Sequence, residues 1–371
     1  MIVVREVKTK KEIKDFLNFP IKLYKGNEYF VPCLYGDELK MFKPNYMYYD
    51  QSEAKFWNAY EDDKMVGRIG AILQKASNKK WNQKRVRFTH FDSVDDKKVA
   101  KALFDEVEKF AKERGMKEIC GPLGFSDLDR EGLLIEGFDQ KQTFEEQYNF
   151  PYYQSLIESC GYSKDVDWIE HRLTLSDETE KMIMLKDRLL ERSGLTLVPV
   201  MSFKKACKLY GDQFFELLDI SYDKLYGTVP FTDGMKKLLM ENFAPIVNPN
   251  YLRMVVDKDN KLVAFVISFP GISEVFRKSN GHIYPWILPE LLHTVKHPKV
   301  IDLGLVGVVP GQNLTGAVAI LYGEMARQMK KDKIEYLETN LNLEDNQAII
   351  GTWKHFNSIQ HKRRRSFVKK I

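Results

Sequence analysis

An α+β fold built from two tandem copies of one unit is what this chain predicts. A hairpin pattern with an acidic turn occurs around residue 60, "AYEDDKMVGRIGAI", and again around residue 256, "VVDKDNKLVAFVIS", with Met65-Val66 aligned on Leu262-Val263. Asn149 and Asn346, which open the closing segment of each half, are 197 positions apart, the same offset as the hairpins. A chain of 371 residues is also longer than one hydrophobic core usually supports. The expected units are 1–176 and 177–371, each a mixed, mostly antiparallel sheet flanked by helices.

The order of elements within a half follows from changes of period. In the first half Val99, Leu103, Val107, Phe110 and Ala111 form a helical stripe that stops at Gly115. The strand "MKEICGP" (116–122) comes next, and the half closes with "NFPYYQSLIESCGY" (149–162) leading into "WIEHRLTL". In the second half Val300 to Val309 is a β-rich run. From Gly316 onward Val318, Leu321, Tyr322, Met325 and Met329 form one face of an amphipathic helix. The strand "DKIEYLE" (332–338) follows, and "NQAIIGTWKHFN" (346–357) leads into a basic tip.

Composition narrows the class. Hydrophobic residues are 44% and aromatics 12%, with no low-complexity tract, so the chain is globular rather than disordered. The net charge of +5, from 57 basic and 52 acidic residues, is mild. Much of it lies at the tip, in Lys362, Arg363, Arg364, Arg365, Lys369 and Lys370, which reads as a terminal strand with solvated charges ahead of a nucleic-acid contact. The four cysteines, Cys33, Cys120, Cys160 and Cys207, form no CxxC pair, which argues against a zinc ribbon or a redox motif. The N-terminus "MIVVREVKTKKE" has no apolar run of signal-peptide length, and a cytoplasmic location is expected.

One stretch carries the functional expectation. In a chain with 29% charged residues, Leu303 to Gly323 is uncharged throughout. Pro310, Gly311, Gln312, Asn313 and Thr315 at its centre would be costly in lipid, so the run is no membrane span. It reads as a strand feeding a helix through a small-residue loop, whose unpaired N–H groups and positive dipole end suit an anion. Gly311 and Gly316 have the spacing of a P-loop, but Ala317 and Val318 stand where its lysine and hydroxyl residue belong. A cradle for the pyrophosphate of coenzyme A, made by main-chain amides alone, is the other ligand that fits. A plain connection that binds nothing remains the bland alternative.

Two hairpin strands, a third strand, a glycine-bearing loop, a helix, a strand, then an asparagine and a helix resemble the GNAT acyl-CoA N-acyltransferase fold. "NLEDNQAIIGTWKHFNSIQHKRRR", "EGFDQ" and "YNFPYYQSLIESCGY" resemble a bacterial branch with tandem GNAT-like halves. That resemblance implies acetyl-CoA or another acyl-CoA as cofactor, held by Val306 and Val308 on the strand, by Asn313, Leu314, Thr315, Gly316 and Ala317 at the loop, and by Asn346. It also implies a small-molecule or protein amine as acceptor. Leu314 replaces the loop's usual middle glycine. Asp95 and Asp96 in the matching stretch of the first half, "DSVDDKKVAKAL", would repel a pyrophosphate, so the first half looks degenerate.

The family's tyrosine acid lies seven residues beyond the motif asparagine, where this chain has Trp353. His361 and Tyr336 are the nearby substitutes, and Glu338, with Asp302 and Asn340, lies on strands that flank the acceptor in that family. Two metal-like patterns are weaker. Glu290, His293 and His297 share a helical face within an apolar insertion, and Asp127, Asp129, Glu131 and Gly132 imitate a calcium loop whose twelfth position is Phe138 rather than glutamate. No metal is expected. Two functions of different class follow: an N-acyltransferase moving a short acyl group to an amine, or a catalytically inactive acyl-CoA or ligand-binding regulator of the same fold.

Overall fold

The computed structural model describes residues 1–310 and 314–371, with side chains left undescribed at Leu314 and Thr315. In chain order the first elements are β1 (Ile2–Glu6), α1 (Lys10–Leu23), α2 (Tyr35–Lys40), β2 (Ser52–Glu61), β3 (Lys64–Gln74), α3 (Lys75–Lys80), β4 (Arg85–Ser93), α4 (Lys97–Glu113), β5 (Glu118–Gly121), β6 (Leu133–Glu136), α5 (Tyr153–Ser159) and β7 (Ser163–Thr174). Then come α6 (Asp177–Arg192), β8 (Thr196–Leu197), α7 (Phe203–Tyr222), α8 (Asp233–Phe243), β9 (Leu252–Val256), β10 (Leu262–Pro270), α9 (Ser273–Lys278), α10 (Leu288–Lys296), β11 (Val300–Val308), α11 (Leu314–Asp332), β12 (Tyr336–Glu338), β13 (Asn342–Leu343), α12 (Gln347–Ile350) and β14 (Asn357–Lys370). The chain divides into two compact units, one of Met1–Ile169, Ser273–Ile287 and His361–Ile371, the other of Glu170–Ile272 and Leu288–Gln360.

In the first unit β1, β2, β3 and β4 pair antiparallel in sequence order. β4 then pairs parallel with β5, but only over Arg85–Arg87 against Glu118–Cys120. The Asp92 carboxylate and the Arg68 guanidinium, 2.7 Å apart and buried, bind the middle of this sheet from within. Helix α4 starts at Asp96, whose side chain accepts the Lys98 N–H, and ends before Gly115 at φ +68°. Its stripe of Val99, Leu103, Phe104, Val107 and Phe110 is buried with Trp57, Val66, Ile69, Phe88 and Phe91 of the sheet. Each such side chain removed from water contributes about 1.5–3 kcal/mol.

The second unit repeats this plan. β8, β9, β10 and β11 pair antiparallel, and β11 pairs parallel with β12 over Val300–Asp302 against Tyr336–Glu338. Helix α11 buries Ala317, Ile320, Leu321, Met325 and Met329 with Val255, Val266, Ile301 and Leu303. Most of the expected stripe therefore faces the core, although Val318 is only partly buried. The helix begins at Leu314, two residues earlier than its apolar period suggests, and runs to Asp332, so the strand after it is shorter than "DKIEYLE".

The last strands of the two halves are exchanged. β7 closes the first half of the sequence, yet its Leu173 and Arg172 pair with Leu337 and Glu338 of β12. β14 closes the second half, yet Phe367 to Lys370 pair with Gly121 to Glu118 of β5. This exchange decides the fate of the basic tip, whose charges, apart from exposed Lys370, are not solvated as the sequence suggests. Lys362 and Arg364 are fully buried. Lys362 meets Glu146 at 2.6 Å, Arg364 bonds the Gln147 carbonyl and the Gln142 side chain, and Arg363 and Arg365 share Asp167. The run is basic because a buried acidic set in the first unit neutralises it.

Candidate active site

The central strand of the second unit parts from its neighbour along one edge. β11 stays with β10 along its length, but the register moves from Ile267 opposite Leu305 to Ser268 opposite Leu303, so β11 carries one extra residue, a β-bulge at Gly304. Its pairing with β12 stops at Asp302, and beyond that point the two strands part. Val309 donates its N–H to Val263 on β10, so by alternation the amides of Val306 and Val308 point to the parted side. α7 meets them there. Ser221 Oγ accepts the Val308 N–H at 3.0 Å and Tyr222 Oη accepts the Val306 N–H at 3.4 Å, while the Ser221 hydroxyl lies 3.3 Å from the Val308 carbonyl. Asn340 donates to the Gly304 carbonyl at the bulge.

At the point of parting, strand registers set four side chains in a row on one face. Phe269 is opposite Asp302, Asp302 beside Glu338, and Glu338 opposite Arg172. The alternate residues Ile301, Leu303, Leu337 and Leu173 pack with α11, so the row faces away from that helix. It is covered on the α8 side, where the ring of Phe243 lies 4.7 Å from that of Phe269. Asp302 and Glu338 are 5% and 3% exposed. Arg172 Nε lies 3.4 Å from Glu338 Oε2, and its guanidinium sits 4.4 Å over the Tyr336 ring. Burial, partly offset by Arg172, raises the Tyr336 hydroxyl above the ordinary tyrosine range, so it holds its proton.

The expected site residues are distributed as follows. Val306 and Val308 are on the parted edge with their amides aimed into the parting. Leu314, Thr315, Gly316 and Ala317 are the first turn of α11, the turn whose N–H groups lack helical partners. A Cβ at Gly316 would meet no atom within 4 Å, so the backbone there is approachable. The Ala317 side chain, by contrast, is in the core. Asn313 lies outside the described residues. Asn346 caps α12 without a side-chain bond to the helix, whereas Asn149 is buried and brackets Leu134, accepting its N–H and donating to its carbonyl. Tyr336 and Glu338 are on β12 in the second unit, while His361 is on β14 within the first. Trp353 is buried in the second unit's core. Sequence reading missed Ser221, Tyr222 and Arg172. A serine and a tyrosine at the end of an amphipathic helix carry no motif, and Arg172 enters only through the strand exchange.

The first unit has the same bulge and the same parting, closed in a different way. β4 gains one residue between Thr89 and Asp92, and His90 within it has φ +49°. Its imidazole bonds Glu38 at 2.8 Å and Thr89 at 2.9 Å. Burial would raise the Glu38 carboxyl, but His90 and the nearby arginines outweigh it and hold the group at about 2. The edge itself is sealed: Tyr153 Oη accepts the Ser93 N–H and the Tyr152 hydroxyl donates to the Ser93 carbonyl. Tyr153 is fully buried and bonded to Tyr24 and Asp92. The metal-like patterns find other uses. Asp129 accepts the N–H groups of Phe125 and Ser126, and His293 and His297 contact each other ring to ring at 5.2 Å. Among the described residues no group of three or more His, Cys, Asp or Glu is placed to hold a metal ion.

The doubled α+β plan has counterparts among solved structures. A tandem GNAT protein from the clavulanic acid biosynthesis pathway matches with a TM-score of 0.57 at 10% identity, covering 100% of this chain and 98% of its own. This chain has the tandem GNAT fold. A second GNAT structure, a GCN5-related N-acetyltransferase from Sphaerobacter thermophilus, matches with a TM-score of 0.51 at 10% identity, over 100% and 95% of the two chains. No family model matches the chain. Among curated sequences, Protein YghO of Escherichia coli K12 is 25% identical over 380 aligned positions, 100% of this chain and 95% of that one. A bacterial ceramide synthase of Caulobacter vibrioides is 23% identical over 309 positions, 81% and 79%. No helix among the described residues of this tandem GNAT chain is long and apolar enough to cross a membrane.

Proposed function

We propose that the chain is an acyl-CoA-dependent N-acyltransferase, working in the cytoplasm, with its active site in the second half (177–371) and a first half that binds no cofactor. The observation that carries this reading is the edge of β11 beyond its pairing with β12, where the Val306 and Val308 amides point into the parting, held there by the hydroxyls of Tyr222 and Ser221, and the first turn of α11 follows. Those amides, with the N–H groups of Leu314 to Ala317, fit the amide-rich arm and the pyrophosphate of coenzyme A. When bound there, the thioester supplies an activated acyl group at the mouth of the parting. Glu338, oriented by Arg172 and seated beside Asp302, takes the proton of the attacking amine, directly or through water. As the new C–N bond forms and the C–S bond breaks, Tyr336 gives its proton to the departing thiolate.

The name of the Caulobacter relative supports a more specific substrate pair, a long-chain amine as acceptor and a fatty acyl group as donor, in place of the short acyl group that the GNAT resemblance implies. The test is a panel of acyl thioesters crossed with amines, long-chain amino alcohols included, read by thiol release and by mass spectrometry of the amide. Amide formation that falls about 100-fold or more in Glu338→Gln is the expected result. Binding of acyl-CoA with no thiol release from any pair would sink the enzyme reading. A catalytically silent binding protein is the second reading, favoured by the buried Trp353 where the family's acid belongs.

A further inference from the structure

Between α7, α8 and the face of β9 and β10 lies a narrow slot that opens to solvent. Phe203, Cys207, Gly211, Phe214, Leu239 and Met254 are among its lining residues, and the remainder are equally apolar apart from the Tyr210 ring. The Tyr210 hydroxyl is bonded to Asn260, so a water molecule in the slot would find almost no polar partner. A packed core closes such space, and clefts lined by hydrocarbon and aromatic rings are where apolar ligands bind.

Gly211 gives a second, independent indication. It sits inside a helix of 20 residues, where glycine is disfavoured, yet a Cβ there would meet no atom within 4 Å. Crowding therefore does not require the glycine, and its missing side chain leaves the slot open. A ring contact links the slot's lining to the charged row. Phe243 lines the slot and touches Phe269, the first residue of the row that continues through Asp302 and Glu338.

We infer that this slot binds one straight hydrocarbon chain of a lipid-like substrate, so that the head of that substrate reaches the Asp302–Glu338 end of the parting. The inference rests on the acyltransferase reading for its purpose, but not for its test. The full chain is titrated with a fluorescent straight-chain fatty acid in the absence of any thioester. Wild type and Gly211→Ala bind it, and Gly211→Phe, which plugs the notch, binds at least 10-fold more weakly with an unlowered melting temperature. Should the plugged variant lose its fold, Cys207 serves instead. Burial raises its thiol, and alkylation of Cys207 is expected to slow at least 5-fold when the fatty acid is present, with Cys33 unaffected.

Displacement of the probe by hexadecanoyl-CoA but not by a long-chain amine assigns the slot to the donor, and the reverse assigns it to the acceptor. Displacement by neither, or equal probe binding by wild type and Gly211→Phe, overturns the inference. A chain that binds the probe but forms no amide keeps the slot and loses the enzyme. Amide formation with Gly211→Phe indifferent to chain length keeps the enzyme and loses the slot.

Discussion

The Glu146 carboxylate holds the Lys362 ammonium at 2.6 Å with both side chains almost completely withdrawn from water. Removing Lys362 takes from the buried Glu146 carboxylate its nearest cation and leaves the Arg364 guanidinium at 3.5 Å. Lys362→Met is expected to lower the unfolding free energy by about 3–5 kcal/mol in a urea titration. The double variant with Glu146→Gln should lose more, since Arg364, fully buried and 3.5 Å from Glu146, then loses that carboxylate as well. A single variant within 0.5 kcal/mol of wild type would mean that water reaches the pair.

The hydroxyls of Ser221 and Tyr222 occupy the amides that the proposed cofactor would use. Their loss should therefore favour binding. Replacing both, as Ser221→Ala with Tyr222→Phe, is expected to tighten coenzyme A by roughly 5- to 10-fold in calorimetry, on the order of 1 kcal/mol for hydrogen bonds no longer to be broken. Weaker binding would show instead that these side chains touch the ligand.

Close contact fixes Gly307. A Cβ there would lie 2.3 Å from the buried ring of Phe265. Gly307→Ala should cost about 1–3 kcal/mol of stability through overpacking. The relieved pair Gly307→Ala with Phe265→Leu, compared with Phe265→Leu alone, should show a smaller cost for the added methyl group.

Asp167 sets an acid limb. Burial alone would raise its carboxyl, but hydrogen bonds from Arg365 and Lys164 prevail and hold it at about 2, below the ordinary 3.8. A depressed carboxyl stabilises the fold at pH above 3.8, and that contribution disappears as pH falls from 3.8 toward 2. Asp167→Asn should thus be less stable than wild type at pH 6 and nearly level with it at pH 2, in paired urea titrations. A constant gap across that range would refute the assignment.

Much of this architecture is legible in the residues. The acidic hairpin turns, the stripe of α4 and the passage from β11 to α11 follow from period alone, because one face of each element must be buried. The doubled plan is legible because Asn149 and Asn346 keep the hairpin offset. The partner of an edge strand is not, since alternation in β7 and β14 says which residues face inward and nothing about which neighbour they bond. That gap hid the burial of Lys362 and Arg364, whose counter-charge, Glu146, is more than 200 positions away. It also hid Arg172 beside Glu338. Ser221 and Tyr222 were hidden for a different reason: they act on backbone amides, which leave no pattern in the sequence.

The reciprocal placement of β7 and β14 has a consequence for synthesis and cutting of the chain. A ribosome that has released residues 1–176 has made β5 but not the strand that will lie beside it, so the earlier sheet waits with a bare rim until β14 emerges. Such long-range closure slows folding and leaves an adhesive border exposed meanwhile. Neither fragment made alone should be a tractable protein, whereas the two produced together should associate, each lending the other its final ribbon.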